Sequence, residues 1–202
     1  MLFYGIVIRY IGCRGLWRRM CDLIVKEVFL MPKTAMLVID MQNALILEHP
    51  YDEKRLIKTI SQMEKICRDK GIEVIFIRHE DNALVKGDSG FEIYSQVAPK
   101  NGEKIFDKRY NSAFRKTGLH EYLQERDVKK LIITGMQTDF CVDATVKVAY
   151  ELGYNVVIPR GGHTTFDNRY LSGEELYHYY SYEIWNHRYA QVMSIDHIEE
   201  IL

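Results

Sequence analysis

The 202-residue chain lacks the features that mark several large protein classes. Its formal net charge is −1, so no overall charge favours a nucleic acid or a membrane surface as partner. A G-x-x-x-x-G-K-[ST] phosphate loop is also absent, and we expect no cofactor. Cysteine is scarce and no C-x-x-C pair occurs, which argues against a zinc site or a redox dithiol and favours a reducing, cytoplasmic setting; the four residues are Cys13, Cys21, Cys67 and Cys141.

Residues 1–30 differ from the rest of the chain because they are apolar and carry a net charge of +3. Arg9 and Arg14 interrupt the apolar run before it reaches the ~20 residues of a membrane span. No A-x-A-like cleavage site for a signal peptide follows it. We predict an N-terminal extension over 1–30 and a single folded domain over 31–202. One hypothesis is that the extension is a translated leader outside the native protein, and the alternative is an amphipathic surface helix.

From Ala35 onward, short apolar runs alternate with segments of helical periodicity. Strands are predicted at Ala35–Ile39, Glu73–Ile77, Lys104–Phe106, Lys130–Thr134, Asn155–Pro159 and Gln191–Ser194. Helices are predicted at Lys54–Lys70, Leu119–Arg126, Val142–Leu152 and Ser172–Asn186, the last capped by Ser172. This alternation predicts an α/β fold, a three-layer α/β/α arrangement with a mostly parallel, Rossmann-like sheet and helices on both faces.

Ligands of such sheets bind beyond the carboxyl ends of the strands. Asp40, His79, Lys108 and the loop leading to Cys141 all lie at these ends or just beyond them. Cys141 stands between a strand and a helix, and backbone N–H groups at a helix start favour a thiolate over a thiol. Asp40 is suited to take and return a proton, and Lys108 to stabilise negative charge. We therefore predict a catalytic site that contains Asp40, Lys108 and Cys141.

Three ordered segments resemble the motifs of the isochorismatase-like cysteine hydrolases, which include nicotinamidases and N-carbamoylsarcosine amidases. They are Val38–Asn43 (VIDMQN), Lys108–Phe114 (KRYNSAF) and Gly135–Val142 (GMQTDFCV). The resemblance implies an Asp40–Lys108–Cys141 triad that acts through a thioester. It also implies a cis peptide bond between Met136 and Gln137, with the N–H groups of Gln137 and Cys141 as oxyanion hole. Relatives are commonly dimers or tetramers, so we expect a homodimer or homotetramer acting on a small-molecule substrate.

Departures from the better-known family members narrow the prediction. Metal-dependent nicotinamidases carry Asp-x-His after the second strand, where this chain has His79-Glu80-Asp81, so the resemblance argues against a bound metal. Substrate contacts are expected from His79, Phe114 and Phe166; for His79 the alternative is a structural, hydrogen-bonded role. The aromatic residues of Tyr177–Tyr189 either fill the core or form a subunit interface.

These observations predict a metal-independent cysteine hydrolase of small amide or related C–N bonds. Two alternatives stay open at this point: an isochorismatase-type vinyl-ether hydrolase, which can dispense with the cysteine, and a catalytically silent ligand-binding homologue. A cysteine phosphatase is disfavoured because Lys147 stands where the phosphate-binding arginine is required.

Overall fold

A parallel sheet of seven strands forms the centre of residues 33–202, the part of the chain that the computed structural model describes. The predicted N-terminal extension lies outside these residues. The strands run in the spatial order β3-β2-β1-β4-β5-β7, and β6 pairs with β4. Their bounds are β1 Lys33–Ile39, β2 Glu73–His79, β3 Lys104–Lys108, β4 Val128–Met136, β5 Asn155–Pro159, β6 His163–Thr164 and β7 Gln191–Met193.

Helices cover both faces of the sheet, as the alternating pattern predicts. One face packs against apolar residues of α3 and α4 and the other against those of α2 and α6. The predicted three-layer fold is therefore confirmed. The helix bounds are α1 Asn43–Ile46, α2 Glu53–Asp69, α3 Leu119–Glu125, α4 Asp143–Glu151, α5 Gly173–His178 and α6 Ile195–Glu200, with a 3₁₀ turn at Ser95–Val97. Among residues 33–202, no helix is both long and apolar enough to span a bilayer.

The predicted helix Ser172–Asn186 begins where expected but changes geometry halfway. Ser172 caps α5 by accepting a hydrogen bond from the Glu175 N–H, and the Glu175 side chain accepts one from the Ser172 N–H. From Tyr179 the backbone continues as a π-helix to Trp185. This wider winding buries Trp185 and leaves Tyr179 half exposed, so the aromatic segment serves the core only in part. An interface role for its exposed rings, and with it the homo-oligomer, stays a prediction.

Gly135 allows β1 and β4 to lie close together directly below the strand ends. It pairs with Ile39 across the sheet and has a φ of 119°. A Cβ atom on Gly135 would lie 2.0 Å from the Ile39 carbonyl oxygen. Only glycine combines that backbone conformation with so close an approach.

Glu64 on α2 is a buried carboxylate whose cationic partner, Arg68, also binds Glu103. Arg68 donates to Glu64 at 3.0 Å and also forms two hydrogen bonds with Glu103, at 2.7 and 2.8 Å. The other oxygen of Glu64, Oε1, has no hydrogen-bond partner among the described residues. Burial raises the pKa of Glu64 to about 7, because desolvation of the charged form outweighs the attraction of Arg68.

We predict that Glu64→Gln stabilises the protein at pH 8. A carboxyl with a raised folded-state pKa favours the folded state below its unfolded pKa, near 4.5, and this contribution is lost as pH rises through about 7. The variant avoids that loss, so its melting temperature should exceed that of wild type by several degrees at pH 8 and by less at pH 5. Thermal unfolding at both pH values measures the difference.

Glu103→Gln is the matched control, since Glu103 binds the same arginine but its pKa is lowered by hydrogen bonds from Arg68 and the Lys100 N–H, despite partial burial. Its loss should destabilise the protein at pH 8. An equal shift of the melting temperature at pH 5 and pH 8 for Glu64→Gln would contradict the assigned titration.

Candidate active site

The sheet register brings four predicted site residues to one edge. Asp40 follows β1, His79 ends β2, Lys108 ends β3, and Cys141 lies in the turn after β4. His79 and Lys108 are paired neighbours across β2 and β3. These strands run parallel, so their carboxyl ends meet, and side chains that are up to 101 residues apart in the chain become neighbours.

The ammonium group of Lys108 is the centre of this site. Its Nζ lies 2.7 Å from Asp40 Oδ2, 3.1 Å from Cys141 Sγ and 2.9 Å from His79 Nδ1. The Lys108 side chain has no exposed surface, so these neighbours replace its hydration shell. The structure thus brings the predicted Asp40, Lys108 and Cys141 together, with His79 as a fourth member.

Asp40 has one oxygen fixed and one available. It adopts a left-handed conformation with a φ of 51°, which asparagine and aspartate tolerate better than other residues, and its N–H donates to the Ile77 carbonyl. Oδ2 accepts from Lys108, whereas the buried Oδ1 has no hydrogen-bond partner among the described residues. A buried carboxylate oxygen without a partner, beside a thiol, is suited to accept a proton.

Cys141 is presented by a turn of unusual geometry. The peptide bond between Met136 and Gln137 is cis, as the family resemblance implies. A π-helical turn over Thr138–Val142 follows, in which the Gln137 carbonyl accepts from the N–H groups of Phe140 and Val142. α4 starts directly after this turn at Asp143, one residue later than predicted. The thiol therefore points from the start of a helix toward Lys108.

The thiol is nevertheless not a resting thiolate, which corrects the expectation from the helix start. Burial raises the pKa of Cys141 to about 12, and the negative charge of Asp40 raises it further than Lys108 lowers it. A protonated thiol next to a carboxylate is an acid–base pair. A nucleophilic sulfur would have to form during the attack, by transfer of the thiol proton to Asp40.

His79 faces two charged neighbours. Lys108 has only protons to offer, so His79 Nδ1 accepts the hydrogen bond, which places the ring proton on Nε2. Nε2 lies 3.5 Å from Asp81 Oδ2. Partial burial and the charge of Lys108 lower the pKa of His79, so the ring is neutral at pH 7.

A second histidine, His163, supports the nucleophile turn from below. Its Nδ1 lies 2.9 Å from Thr138 Oγ1 and its Nε2 lies 2.9 Å from Ser181 Oγ, and the ring stacks on Tyr177. Burial lowers the pKa of His163 to about 3, so this link between β6, the turn and the π-helix is uncharged. The sequence analysis assigned no role to His163.

A cavity of about 210 Å³ opens beside the thiol. Its walls combine the candidate catalytic residues with apolar side chains and with polar groups at the mouth. The lining residues are Asp40, Leu45, His79, Asp81, Leu84, Asn111, Met136, Gln137, Phe140 and Cys141. The sequence predicted the contribution of His79 to this cavity. It missed Asp81 and Asn111 as lining residues, since a single polar residue in a loop has no periodicity to identify it.

Phe114 and Phe166 are not among the residues that line this cavity, so their contact with a substrate stays a prediction. Phe114 packs on Tyr154 with ring centroids 5.9 Å apart, beside the core of α3 and α4. Phe166 packs against the opposite core, on the side of α2. Both rings are half buried because they close the rims of the two hydrophobic layers.

One group of three residues within 33–202 offers atoms close enough for a metal ion: Asp40, His79 and Cys141, with ligand atoms within 4.8 Å of one another. Lys108 Nζ already lies within hydrogen-bonding distance of all three side chains. A cation there would meet the charge of the ammonium at close range. The donor set therefore fits the protein's own ammonium better than a metal.

The comparisons with known proteins agree with this fold. The isochorismatase domain family matches residues 34–197, so the chain belongs to the isochorismatase family of hydrolases. YrdC of Bacillus subtilis, an isochorismatase family protein, is 30% identical over 133 residues, which cover 62% of this chain and 71% of YrdC. Nicotinamidase 3 of Arabidopsis thaliana is 27% identical over 150 residues, which cover 66% of this chain and 74% of that enzyme.

A solved structure of an isochorismatase-like hydrolase from Alkaliphilus metalliredigens superposes with a TM-score of 0.72 at 26% identity. The match covers 83% of this chain and 98% of that one. The predicted family membership is therefore confirmed.

We predict that Asp40→Asn makes Cys141 react faster with iodoacetamide at pH 7.5. The substitution removes the negative charge that raises the thiol pKa and leaves Lys108 to stabilise the thiolate. Each unit by which the pKa falls should raise the rate about threefold, because the gain in thiolate exceeds its loss of nucleophilicity. Peptide mass spectrometry resolves Cys141 from the buried Cys67.

Lys108→Met is the control of opposite sign, since it removes the cation and should slow the alkylation of Cys141. Circular dichroism spectra and melting curves verify that both variants are folded. An unchanged or slower alkylation rate in Asp40→Asn would contradict the assigned electrostatics.

Proposed function

We propose that the protein hydrolyses small amides through a thioester on Cys141. The observation that carries this proposal is the contact of Lys108 Nζ with both Asp40 Oδ2 and Cys141 Sγ, at 2.7 and 3.1 Å, on the wall of one small cavity. A thiol, a carboxylate that accepts its proton and a fixed cation are the groups that nucleophilic acyl transfer requires. The relatives named for amide hydrolysis support the same chemistry.

The first half of the reaction transfers the acyl group to sulfur. The free oxygen of Asp40 takes the proton from Cys141, and the sulfur attacks the carbonyl carbon to form a tetrahedral adduct. The N–H groups of Gln137 and Cys141 are assigned to the negative oxygen of that adduct, as the family resemblance implies. The C–N bond then breaks, and the amine leaves with the proton that Asp40 returns.

The second half releases the acid. Asp40 takes a proton from water, the resulting hydroxide attacks the thioester carbonyl, and the C–S bond breaks. The sulfur regains its proton from Asp40, so each cycle consumes one amide and one water and yields one carboxylic acid and one amine or ammonia. Lys108 stabilises the negative charge as it passes between carboxylate and sulfur.

The size of the cavity supports a small substrate. A volume of about 210 Å³ lies below the 300–1,000 Å³ typical of drug-sized ligands. Leu45, Leu84 and Phe140 provide apolar walls near the sulfur, whereas Asn111 offers both a donor and an acceptor. This combination suits an acyl group of a few carbon atoms.

We predict that Cys141→Ala abolishes the release of ammonia from small primary amides. A panel of butyramide, β-alaninamide and succinamate covers neutral, cationic and anionic acyl groups of similar length. Loss of the nucleophile should lower kcat/KM by about a thousandfold or more. In wild type, acid quenching followed by intact-protein mass spectrometry should show an acyl adduct that maps to Cys141.

Cys67→Ala is the matched control, because Cys67 is a free thiol on α2 that is buried in the core and lines no part of the cavity. Ammonia release that persists in Cys141→Ala would favour the vinyl-ether hydrolase. Ligand binding without turnover of any amide would favour the silent homologue.

A further inference from the structure

The cavity walls carry more negative than positive charge. Asp40 and Asp81 contribute two carboxylates, and His79 is neutral. Lys108 contributes a cation, but its side chain is fully buried behind Asp40 and Cys141. No arginine, and no lysine with surface toward the cavity, belongs to its described lining.

Asp81 is fixed at the mouth of this cavity as an anion. Its Oδ1 accepts hydrogen bonds from the N–H groups of Ala83 and Leu84, both at 2.8 Å. These two bonds lower the pKa of Asp81, so the carboxylate stays ionised well below neutral pH. Among residues 33–202, its Oδ2 has only the longer contact with His79 Nε2, at 3.5 Å, which leaves this oxygen able to accept a stronger donor.

Two basic residues near the site, Arg109 and Lys86, form ion pairs with other carboxylates. Arg109 donates to Glu80 at 2.7 Å, and Lys86 donates to Asp107 at 2.7 Å. Neither side chain lines the cavity. A substrate that carries a carboxylate would therefore meet Asp81 at the mouth without an exposed cation to compensate it.

We infer that Asp81 makes the cavity selective for acyl groups that carry a positive charge, such as an amino-acyl amide with an ammonium group a few bonds from the scissile carbonyl. The ammonium donates to Asp81 Oδ2 at the mouth while the amide reaches Cys141. Asp40, the other carboxylate of the cavity, is neutralised by Lys108 and serves the chemistry, so Asp81 is the free anion of the site. This inference rests on the proposed function, because it assumes that Cys141 is the reacting group.

Three thiol reagents that differ only in charge test the selectivity without a known substrate. They are the 2-aminoethyl (cationic), methyl (neutral) and 2-sulfonatoethyl (anionic) methanethiosulfonates. In each case the sulfur of Cys141 forms a disulfide with the transferred thioalkyl group, and methanesulfinate leaves. Rates are read at Cys141 by peptide mass spectrometry and divided by the rates of the same reagents with a small free thiol. The ratio of cation to anion then cancels the fraction of thiolate.

In wild type we expect this normalised ratio to exceed one by about three- to tenfold, as one partly screened charge at close range allows. Asp81→Asn keeps an oxygen for the N–H groups of Ala83 and Leu84 and should return the ratio to about one. Asp81→Ser is a second variant for the case in which the asparagine is poorly folded. Asp88→Asn, an exposed carboxylate of the following loop with no ion pair among the described residues and outside the cavity lining, should leave the ratio unchanged.

Each outcome bears on a different claim. A wild-type ratio of one or less, or a ratio that Asp81→Asn and Asp81→Ser leave unchanged, would overturn the selectivity while the nucleophile stands. Failure of all three reagents to modify Cys141 would contradict the proposed function, and the inference would fall with it. A loss of the ratio in Asp88→Asn as well would assign the effect to general surface charge and overturn the role of Asp81.

Discussion

One buried ammonium group sets the constraint on which the site depends. An amine taken out of water needs hydrogen-bond acceptors and negative charge in its place, because an uncompensated charge in the interior is strongly unfavourable. Lys108 finds them in Asp40, His79 and Cys141, which come from three different strands or the turns beyond them. The parallel register must therefore be correct across β3, β2, β1 and β4 before the cation is satisfied. Formation of the sheet and of the catalytic cluster is one event.

The same burial explains why the site stores its nucleophile as a thiol. A surface cysteine beside a lysine would have a lowered pKa, but here desolvation and the Asp40 charge dominate. Lys108 stabilises both possible anions, the carboxylate and the thiolate, so moving the proton between Asp40 and Cys141 leaves an ion pair with the lysine at every stage. A thiol that is protonated at rest is also less susceptible to oxidation than a thiolate.

The sequence predicted best those elements whose burial imposes a regular pattern of apolar residues. Buried strands such as Ala35–Ile39 are continuous apolar runs, because parallel strands face helices on both sides, and the residues that follow them are candidates for the site by position alone. The strand boundaries were predicted less accurately. β4 extends to Met136, two residues beyond its predicted end, because β6 pairs with it there. A strand of two residues, such as β6, has no recognisable sequence pattern.

Other features depend on contacts that no local pattern encodes. The change from α5 to a π-helix at Tyr179 follows from how Trp185 and Ser181 fit beside the His163 ring. Phe114, an expected substrate contact, stacks its ring on Tyr154, forty residues later in the chain. The raised pKa of Cys141 likewise results from burial by distant residues, which the helix start alone does not reveal.

Chemistry and selectivity are carried by structurally independent parts of this site. The sheet fixes the positions of the candidate catalytic side chains. Below them, a Cβ atom on Gly135 would collide with the Ile39 carbonyl, so the strands there tolerate little change in sequence. Asp81, in contrast, is held by the N–H groups of its own turn, so a different residue there would alter the charge of the cavity mouth without moving a strand. Members of such a family can therefore keep one mechanism while the charge of their substrates differs. For that reason the proposed reaction class rests on Asp40, Lys108 and Cys141, whereas the proposed substrate class rests on the residues at the mouth.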